Sequence, residues 1–292
     1  MRIDLHVHSN ASDGTDSPEA LVRHAFELGL DGVGLTDHDT VAGHAAAGSA
    51  VNALASAGSG GDTRPFVVVP GAEISCTLGG TSLHLLAYLF DVTDAHLVTE
   101  FELLRTDRVR RAHAMVDKLV ELGAPVSWPQ VAAIAGDGVV GRPHVAQALV
   151  AAGVIDEVSA AFTSEWIADG GRAYVDKYAL EPALAIAMVK SAGGVSVFAH
   201  PGASARGDIV GVTEIEALAA AGLDGIEVDH PDHDEPTRQR LREIALDLGL
   251  LVTGSSDYHG SVKSTQLGAS TTAPEMFEAL VERATGGRVI SA

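Results

Sequence analysis

Two histidines separated by one residue stand near the amino terminus, in the stretch "DLHVHSNASDG" at residues 4 to 14. Side chains two positions apart on a β-strand project from the same face, so His6 and His8 could grip one metal ion together. The pair alone is weak evidence, because a single histidine is often a packed core residue or a surface residue. The interpretation therefore depends on whether further ligand types accompany it.

Similar side chains stand at or just after the ends of most of the short apolar runs in the chain. In barrels of parallel strands, the site is built at the carboxyl ends of the strands. The side chains at these positions are His6, His8, Asp37, His38, Glu73, His200, Asp257 and His259, whereas His84 lies at the start of its run. Packing gives no reason to place so many imidazoles and carboxylates at one rim. The pattern predicts a metal centre, and a donor set without thiolates suits Mn²⁺, Fe²⁺ or Zn²⁺.

Seven apolar or β-branched runs, with helical stretches between them, predict the elements that position these residues. The runs cover residues 2–7, 32–36, 66–71, 83–90, 194–200, 224–230 and 250–257. Their alternation with helices favours a parallel α/β barrel. The first helix is marked by Ser17 as its N-cap, Pro18 at its first position and Gly29 as its stop.

The fourth and fifth runs are separated by far more residues than a βα connection needs. The intervening stretch reads as helices, in "EFELLRTDRVRRAHAMVDKLVELG", "SWPQVAAIAG" and "RPHVAQALVAAG". We therefore predict a helical cap at residues 101–177, inserted into a barrel formed by residues 1–100 and 178–292. The first of these helices carries a cluster of arginines in "RTDRVRR".

Composition narrows the class of protein. The chain has 292 residues, 46% of them hydrophobic, and a formal net charge of −20. It contains no continuous apolar run of membrane-spanning length and no signal-peptide core, so we expect a soluble cytoplasmic protein with no membrane and no obligate protein partner. The excess of acidic over basic residues argues against an extended binding surface for long nucleic acids. Cys76 stands alone, which excludes an internal disulfide and a cysteine-based zinc site.

Six motifs follow one another in the order found in a known family. They are "DLHVHSNASDG", "GLTDHDTVAG", "PGAEIS", "LHLLAY", "FAHPG" and "GSSDYHG". Together they resemble the PHP (polymerase and histidinol phosphatase) family of metal-dependent phosphoesterases. The "SDG" after the first motif, the "GRPH" in the insertion and the chain length resemble the branch of nucleotide phosphatases and 5′-to-3′ exoribonucleases of the RNase AM kind.

The resemblance implies a distorted (β/α)7 barrel, similar to a TIM barrel, with three divalent metal ions. It implies that His6, His8, Glu73 and Asp257 hold the first ion. Glu73 would bridge to a second ion, completed by His84 and His200. Asp13, His38 and His259 would hold the third. His38, Asp257 and His259 are also the catalytic residues that it implies.

Closely spaced divalent ions suit the hydrolysis of a phosphate ester. They lower the pKa of a bound water toward about 7 and neutralise charge on the attacking and leaving oxygens. Three such ions outweigh three ligating carboxylates, so an acidic protein can still offer a positive floor to an anionic substrate. Because histidine ligates as the neutral imidazole, we expect activity to fall below about pH 6.

Further residues are candidates for substrate contact. Arg142 stands at a predicted helix start, where its guanidinium and the free N–H groups of that helix could clamp a second phosphate. Arg206 follows "HPGAS" and would reach the same cavity from the barrel side, and His144 is a weaker candidate. His230 and His233, in "EVDHPDH", lie at the same rim, with substrate contact or proton donation as possible roles. Asp37 would orient His38 or another ligand, and Asp39 or Thr40 would cap the next helix.

These observations predict a phosphatase of small nucleotides, acting on the 3′-phosphate of 3′,5′-bisphosphonucleotides, with short 5′-phosphorylated RNA as a second substrate. Three alternatives stay open. One is another PHP enzyme, acting on histidinol phosphate or a cyclic sugar phosphate. Another is a non-catalytic PHP module of a larger assembly. A phosphotriesterase-like amidohydrolase also uses a histidine pair on a barrel, but it usually needs a bridging lysine, and no lysine falls at a predicted strand end.

Overall fold

Seven strands form a nearly closed barrel in a computed structural model, which describes residues 1–57, 64–204 and 209–291. The strands are β1 Ile3–Val7, β2 Gly32–Leu35, β3 Val67–Leu78, β4 Thr81–Tyr88, β5 Val195–Phe198, β6 Gly225–Asp229 and β7 Leu251–Gly254. They are hydrogen-bonded in sequence order, and β8, Ile290–Ser291, pairs with β3. The gap between β1 and β7 is bridged where the His8 N–H donates to the Tyr258 carbonyl at 2.8 Å. The predicted seven-stranded α/β barrel is confirmed.

The direction of β4 differs from the expected parallel arrangement. It runs antiparallel to both β3 and β5, whereas the other neighbouring pairs from β1 to β7 are parallel. The reason is the connection: β3 and β4 are joined at Gly79 and Gly80, with φ angles of 57° and 90°, and parallel neighbours need a much longer crossover. The reversed direction explains His84. The start of β4 lies at the same rim as the ends of the parallel strands, and His84 pairs with Ser75 there.

Nine helices among the described residues surround the barrel or form the insertion. They are α1 Pro18–Glu27, α2 His44–Ala57, α3 Ala95–Glu121, α4 Trp128–Ala135, α5 Arg142–Ala151, α6 Pro182–Ser191, α7 Val212–Ala220, α8 Glu235–Leu248 and α9 Pro274–Arg283. The first helix begins as predicted, with the Ser17 hydroxyl accepting from the Ala20 N–H at 3.2 Å. It ends before Gly29, whose φ of 77° suits glycine.

Helix α3 connects the barrel to the inserted helices. Its buried residues up to Leu104 pack in the same apolar cluster as β3, β4 and β5. From Ala112 onward they pack against α4 and α5 in a separate cluster. The helix thus runs across the boundary predicted at residue 101, and its buried side chains change partners between Leu104 and Ala112.

The length and composition of the helices decide whether one of them could cross a membrane. Within the described segments, no helix combines the length and the apolar character needed to cross a bilayer.

Candidate metal centre

The residues of the rim are held in unusual backbone conformations. Asp39, His200 and Asp257 have positive φ angles of 53°, 32° and 51°, although none is a glycine. Such conformations cost about 1–3 kcal/mol each and persist where the surrounding structure enforces them, typically at functional sites. Each of these residues follows the end of β2, β5 or β7. Among the described non-glycine residues, three of the four positive φ angles therefore lie where the candidate ligands are, and the fourth belongs to Leu89, after β4.

The four residues expected to hold the first ion lie together and are buried. The Nε2 atoms of His6 and His8 are 3.2 and 3.0 Å from Glu73 Oε2. They are 3.4 and 3.3 Å from Asp257 Oδ1. Four donor atoms therefore converge from the end of β1, the interior of β3 and the loop after β7. His6 and His8, two positions apart, project to the same side.

Glu73 lies between two sets of imidazoles. Its Oε2 faces His6, His8 and also His38, whose Nδ1 is 3.2 Å away. Its Oε1 is 2.7 Å from His84 Nδ1 and 3.1 Å from His200 Nε2. Each carboxylate oxygen can therefore serve a different cation, which is the arrangement that a bridging ligand requires.

The third set surrounds Asp13. The Asp13 Oδ1 atom is 3.4 Å from His259 Nε2, and its Oδ2 is 3.7 Å from His38 Nε2. His8 Nδ1 is 3.7 Å from Asp13 Oδ1 and joins this set. Three groups therefore have donor atoms within 4.8 Å of one another: His8, Asp13, His38 and His259; His6, His8, Glu73 and Asp257; and His38, Glu73 and His84.

The donor set fits divalent metal ions. The Nδ1 atoms of His38 and His84 are buried without a hydrogen-bond partner among the described residues, although a carboxylate faces each of them. Buried polar atoms without partners are rare and indicate an ion or water at the site. Imidazoles and carboxylates without thiolates match Mn²⁺, Fe²⁺ or Zn²⁺. The nine predicted ligand positions are thus brought together, and their assignment to individual ions stays a prediction.

The site is electrostatically coupled. Burial alone would lower the pKa of the His8 imidazole, but its hydrogen bonds with Asp257 and Glu73 raise the pKa to about 9. Burial, with His8 and Lys263 nearby, lowers the pKa of His259 to about 4. Burial would raise the pKa of Glu73, but the surrounding imidazoles hold it well below its usual range. The ligand imidazoles therefore differ in how strongly they retain a proton.

We expect metal binding to release protons and to strengthen as the pH rises from about 6 to about 9. A raised pKa means that His8 is protonated below about pH 9 without metal, and an ion must displace that proton. Affinity should rise about tenfold per pH unit for each proton released. Calorimetric titration of the metal-free protein with Mn²⁺, in buffers of different ionisation enthalpy, counts the protons. A pH-independent affinity with no proton release would contradict this expectation.

Glu227 is a residue of the candidate site that sequence reasoning missed. It is fully buried on β6, and its Oε1 accepts from His6 Nδ1 at 3.1 Å, while its Oε2 accepts from the His200 N–H at 2.7 Å. The Ser255 hydroxyl also donates to it. The hydrogen bond from His6 Nδ1 to Glu227 places the proton of His6 on Nδ1 and turns Nε2 toward the candidate metal centre. A glutamate inside the apolar run "DGIEVDH" was the available signal.

Other buried carboxylates hold the loops of the rim. Asp37 accepts from the Ser9 N–H, the Ser9 hydroxyl and the Ser12 hydroxyl at 2.7 to 2.8 Å, so it fixes the loop after β1. Because the Ser12 hydroxyl lies 3.4 Å from His8 Nδ1, Asp37 is linked to His8, the alternative expected beside His38. Asp4 does the same for the loop after β7 by accepting from the Ser256 N–H at 2.9 Å. Burial raises the pKa of Asp4 to about 6.

A cavity of about 690 Å³ opens over the candidate ligands. One part of its wall contains Asp13, His38, His84, His200 and His259. Four cationic side chains from the insertion and its border line another part, namely Arg108, Arg111, Arg142 and Lys177. We call these four residues the basic wall. The cavity therefore joins the candidate metal centre to the basic wall.

The basic wall is held in place by hydrogen bonds. Arg108 donates to Asp39 Oδ2 at 2.6 Å and to the Ser75 hydroxyl at 2.8 Å, so Asp39 anchors an arginine and does not cap a helix as expected. The Thr40 hydroxyl accepts from the Ala42 N–H at 3.2 Å, in the segment that precedes α2. Lys177 donates to the Ser82 hydroxyl at 2.7 Å. Burial, with nearby arginines, lowers the pKa of Lys177 to about 8.

The expected substrate residues have different positions. Arg142 lines the cavity and donates to Asp169 Oδ1 at 2.7 Å. Arg206 lies outside the described residues. His144 is buried, and its Nδ1 accepts the Gly141 N–H at 2.9 Å, so its ring closes the first turn of α5, while its role as a substrate contact stays a prediction. That bond also occupies one of the N–H groups expected to bind phosphate, and Pro143 has none. The expected phosphate contact therefore depends on the Arg142 guanidinium more than on the N–H groups of this helix.

The two histidines after β6 also differ from each other. His233 Nδ1 donates to the Val228 carbonyl at 2.9 Å, and its Nε2 accepts the Gly202 N–H at 3.0 Å. Both ring nitrogens are thus used to hold neighbouring loops, which is a structural role and not the expected substrate contact. His230 is buried beside the centre, with its Nε2 3.8 Å from Asp257 Oδ2.

Comparisons with known proteins agree with this site. A PHP domain model matches residues 4–122. A 5′-3′ exoribonuclease from Haemophilus influenzae is 31% identical over 261 residues, which is 88% of this chain and 90% of the relative. A 3′,5′-nucleoside bisphosphate phosphatase from Chromobacterium violaceum is 30% identical over 88% of this chain and 87% of its own length. A phosphoribosyl 1,2-cyclic phosphate 1,2-diphosphodiesterase from Eggerthella lenta is 30% identical over 88% of this chain and 94% of its own length.

A solved structure supports the same conclusion. The crystal structure of a protein assigned as a metal-dependent phosphoesterase, from Bifidobacterium adolescentis, superimposes with a TM-score of 0.89 at 36% sequence identity. The match covers 97% of this chain and 96% of the other. Together with these relatives, the seven-stranded barrel with imidazoles and carboxylates gathered at one rim identifies a metal-dependent phosphoester hydrolase. The chain belongs to the PHP family.

Proposed function

We propose that this enzyme removes a phosphate from small nucleotides. Its main substrate would be a 3′,5′-bisphosphonucleotide, from which it would remove the 3′-phosphate. The observation that carries the proposal is the cavity, which joins a cluster of candidate metal ligands to the basic wall of Arg108, Arg111, Arg142 and Lys177. A substrate with two separated phosphates can occupy both regions at once. The name of the Chromobacterium violaceum relative supports this substrate class.

Three divalent ions, Mn²⁺, Fe²⁺ or Zn²⁺, are part of the proposal. The first would be held by His6, His8, Glu73 and Asp257, the second by Glu73, His84 and His200, and the third by Asp13, His38 and His259. When bound, such ions supply a nucleophile from water near neutral pH and neutralise the charge of a phosphoryl group. Catalytic roles are proposed for His38, Asp257 and His259 as members of these sets.

The remaining steps belong to side chains of the chain itself. Glu227 holds the proton of His6 on Nδ1, and the Asp257 carbonyl accepts from His259 Nδ1 at 2.8 Å, so in both rings Nε2 stays free for the centre. Arg108, already bound to Asp39, presents its guanidinium to the cavity without having to be ordered first. Planar guanidinium groups bind phosphate oxygens in pairs, which orients a nucleotide across the cavity.

The decisive experiment measures the release of phosphate from pAp and AMP, and the release of nucleotide from a short 5′-phosphorylated RNA, using protein of measured metal content. We expect pAp to give the highest kcat/KM, since only it offers two separated phosphate monoesters. Protein stripped of metal by a chelator is the control and should release no phosphate. Equal rates on pAp and AMP would refute the bisphosphonucleotide assignment, and no release from any of the three would refute the enzyme.

Arg142→Ala is expected to raise KM for pAp about tenfold or more and to change KM for AMP little, because one charge-assisted contact to the second phosphate is lost. Steady-state kinetics on the two substrates measure the difference. Arg172→Ala, a more peripheral arginine of the insertion, is the matched control. An equal change on pAp and AMP would remove Arg142 from the second phosphate site.

Short 5′-phosphorylated RNA is the second candidate substrate, favoured by the name of the Haemophilus influenzae relative. The Eggerthella lenta relative adds a cyclic sugar phosphate as an alternative within the same chemistry. In both cases, the basic wall would bind a phosphate that is not cleaved. The cytoplasmic location expected from the sequence is part of the proposal for each substrate.

A further inference from the structure

The two carboxylate oxygens of Asp257 face different groups. Oδ1 lies 3.3 to 3.4 Å from nitrogens of His6, His8 and His259, on the side of the candidate metal ligands. Oδ2 lies 2.8 Å from the Lys263 ammonium and 3.8 Å from His230 Nε2. Oδ1 thus points to the candidate metal centre. Lys263 and His230, which the proposed mechanism does not use, lie beside Oδ2.

Lys263 is brought back to Asp257 by the loop that follows β7. Gly260 begins a short 3-10 turn, Gly260–Val262, with a φ of 70°, and a Cβ at Gly260 would collide with the Thr15 hydroxyl. The Thr15 hydroxyl accepts from the Ser261 N–H at 3.0 Å, which fixes the turn against the loop after β1. The chain therefore returns over its own strand end, and Lys263 reaches Asp257 from six residues away.

His230 faces the same oxygen as a hydrogen-bond donor. The Asp232 N–H donates to His230 Nδ1 at 3.0 Å, so the neutral ring carries its proton on Nε2. That Nε2 is buried and has no hydrogen-bond partner within the described residues. Leaving such a donor unpaired costs about 1–3 kcal/mol, and Asp257 Oδ2 lies 3.8 Å from it. A small shift of the carboxylate would complete the bond.

We propose that Lys263 and His230 are positioning residues, which hold Asp257 Oδ2 so that Oδ1 faces the metal ions. This inference rests on the proposed function, because it takes Asp257 as a metal ligand. Carboxylate ligands of metals are commonly fixed by such partners, and removing a partner lowers metal affinity or activity about 10- to 100-fold. Repulsion between the ammonium and a metal ion acts in the opposite direction, so the sign of the effect is itself a test.

The experiment measures Mn²⁺ affinity of the metal-free protein, by calorimetry, before any substrate is added. Lys263→Met and His230→Met should each weaken the tightest Mn²⁺ affinity by about tenfold or more, whereas Lys263→Arg and His230→Gln, which keep a donor near Oδ2, should stay within about threefold of wild type. Lys190→Met, at an exposed lysine, is the matched control. Melting temperatures of the metal-free proteins show that each variant is folded.

The double variant Lys263→Met/His230→Met separates a shared role from two independent ones. Two groups acting through one carboxylate should be non-additive, so the double variant should lose less affinity than the product of the two single losses. Unchanged or increased Mn²⁺ affinity in Lys263→Met would overturn the proposal, as would a raised KM with unchanged Mn²⁺ affinity, which would make Lys263 a substrate contact. If the wild-type protein binds no Mn²⁺ and releases no phosphate, the proposed function fails as well.

Discussion

Replacing Glu73 with glutamine is expected to lower kcat/KM by about 10³-fold or more, while the protein remains folded. The two Glu73 oxygens face five imidazoles, and a glutamine would keep one acceptor and turn an NH₂ donor toward the others. A bridging carboxylate contributes several kcal/mol through the charges that it organises, and each 1.36 kcal/mol is a factor of ten in rate. The loss should appear in kcat, since the basic wall still binds the nucleotide.

Steady-state kinetics on pAp and metal analysis of the purified variant test this expectation. The metal content should fall together with the rate, because two candidate sets share Glu73. Glu275→Gln, at an exposed residue of α9, removes the same charge elsewhere and should behave as wild type. A Glu73→Gln enzyme that kept its full metal complement and a rate near wild type would show that this carboxylate does not bridge.

Arg108→Met is expected to raise KM for pAp about 10- to 100-fold and to destabilise the protein by about 3–5 kcal/mol. The first effect follows from losing a charge-assisted contact to the second phosphate. The second follows from Asp39, which is 0% exposed and would be left as an unpaired buried charge. Chemical denaturation measures the stability, and kinetics on pAp and AMP measure the affinity.

Two further variants separate the two effects. Asp39→Asn combined with Arg108→Met removes the uncompensated charge, so part of the stability should return while the affinity for pAp stays low. Arg110→Met, on the same helix but directed to Asp107 and the Asp176 carbonyl, is the matched control and should leave KM unchanged. If Arg108→Met were destabilised but bound pAp like wild type, Arg108 would be only a structural link between barrel and insertion.

The strands and the rim residues were predictable from the sequence because they depend on local pattern. Apolar runs mark strands, and a ligand type placed after a run has a fixed end of the barrel to occupy. The direction of β4 departs from the rule for parallel barrels. It nevertheless has a local signal, because "LGGT" at residues 78 to 81 places a glycine pair between two strands and favours a hairpin, which would bring His84 to the rim with the other candidates.

Residues that act through partners distant in sequence were the ones missed. Arg108 meets Asp39 across 69 positions, and Glu227 meets His6 across 221. The glutamate inside "DGIEVDH" marks Glu227 as unusual, but the local pattern around neither residue identifies its partner. His233 shows the opposite error, because both ring nitrogens of a histidine near a rim can be occupied by backbone groups. Only the positions of all neighbours decide between these two cases.

The reversed strand has a consequence for the insertion. Because β4 runs antiparallel to its neighbours, it ends at the end of the barrel opposite the rim. The inserted helices lie over the rim, so α3 must run along the outside of the barrel to reach them. From Ala95 to Arg108 a helix rises about 20 Å, roughly the height of the strands beside it. The first half of α3 is therefore a strut of fixed length. Shortening it by two turns would pull Arg108 about 11 Å below the substrate, whereas insertions beyond Glu121 would leave it in place.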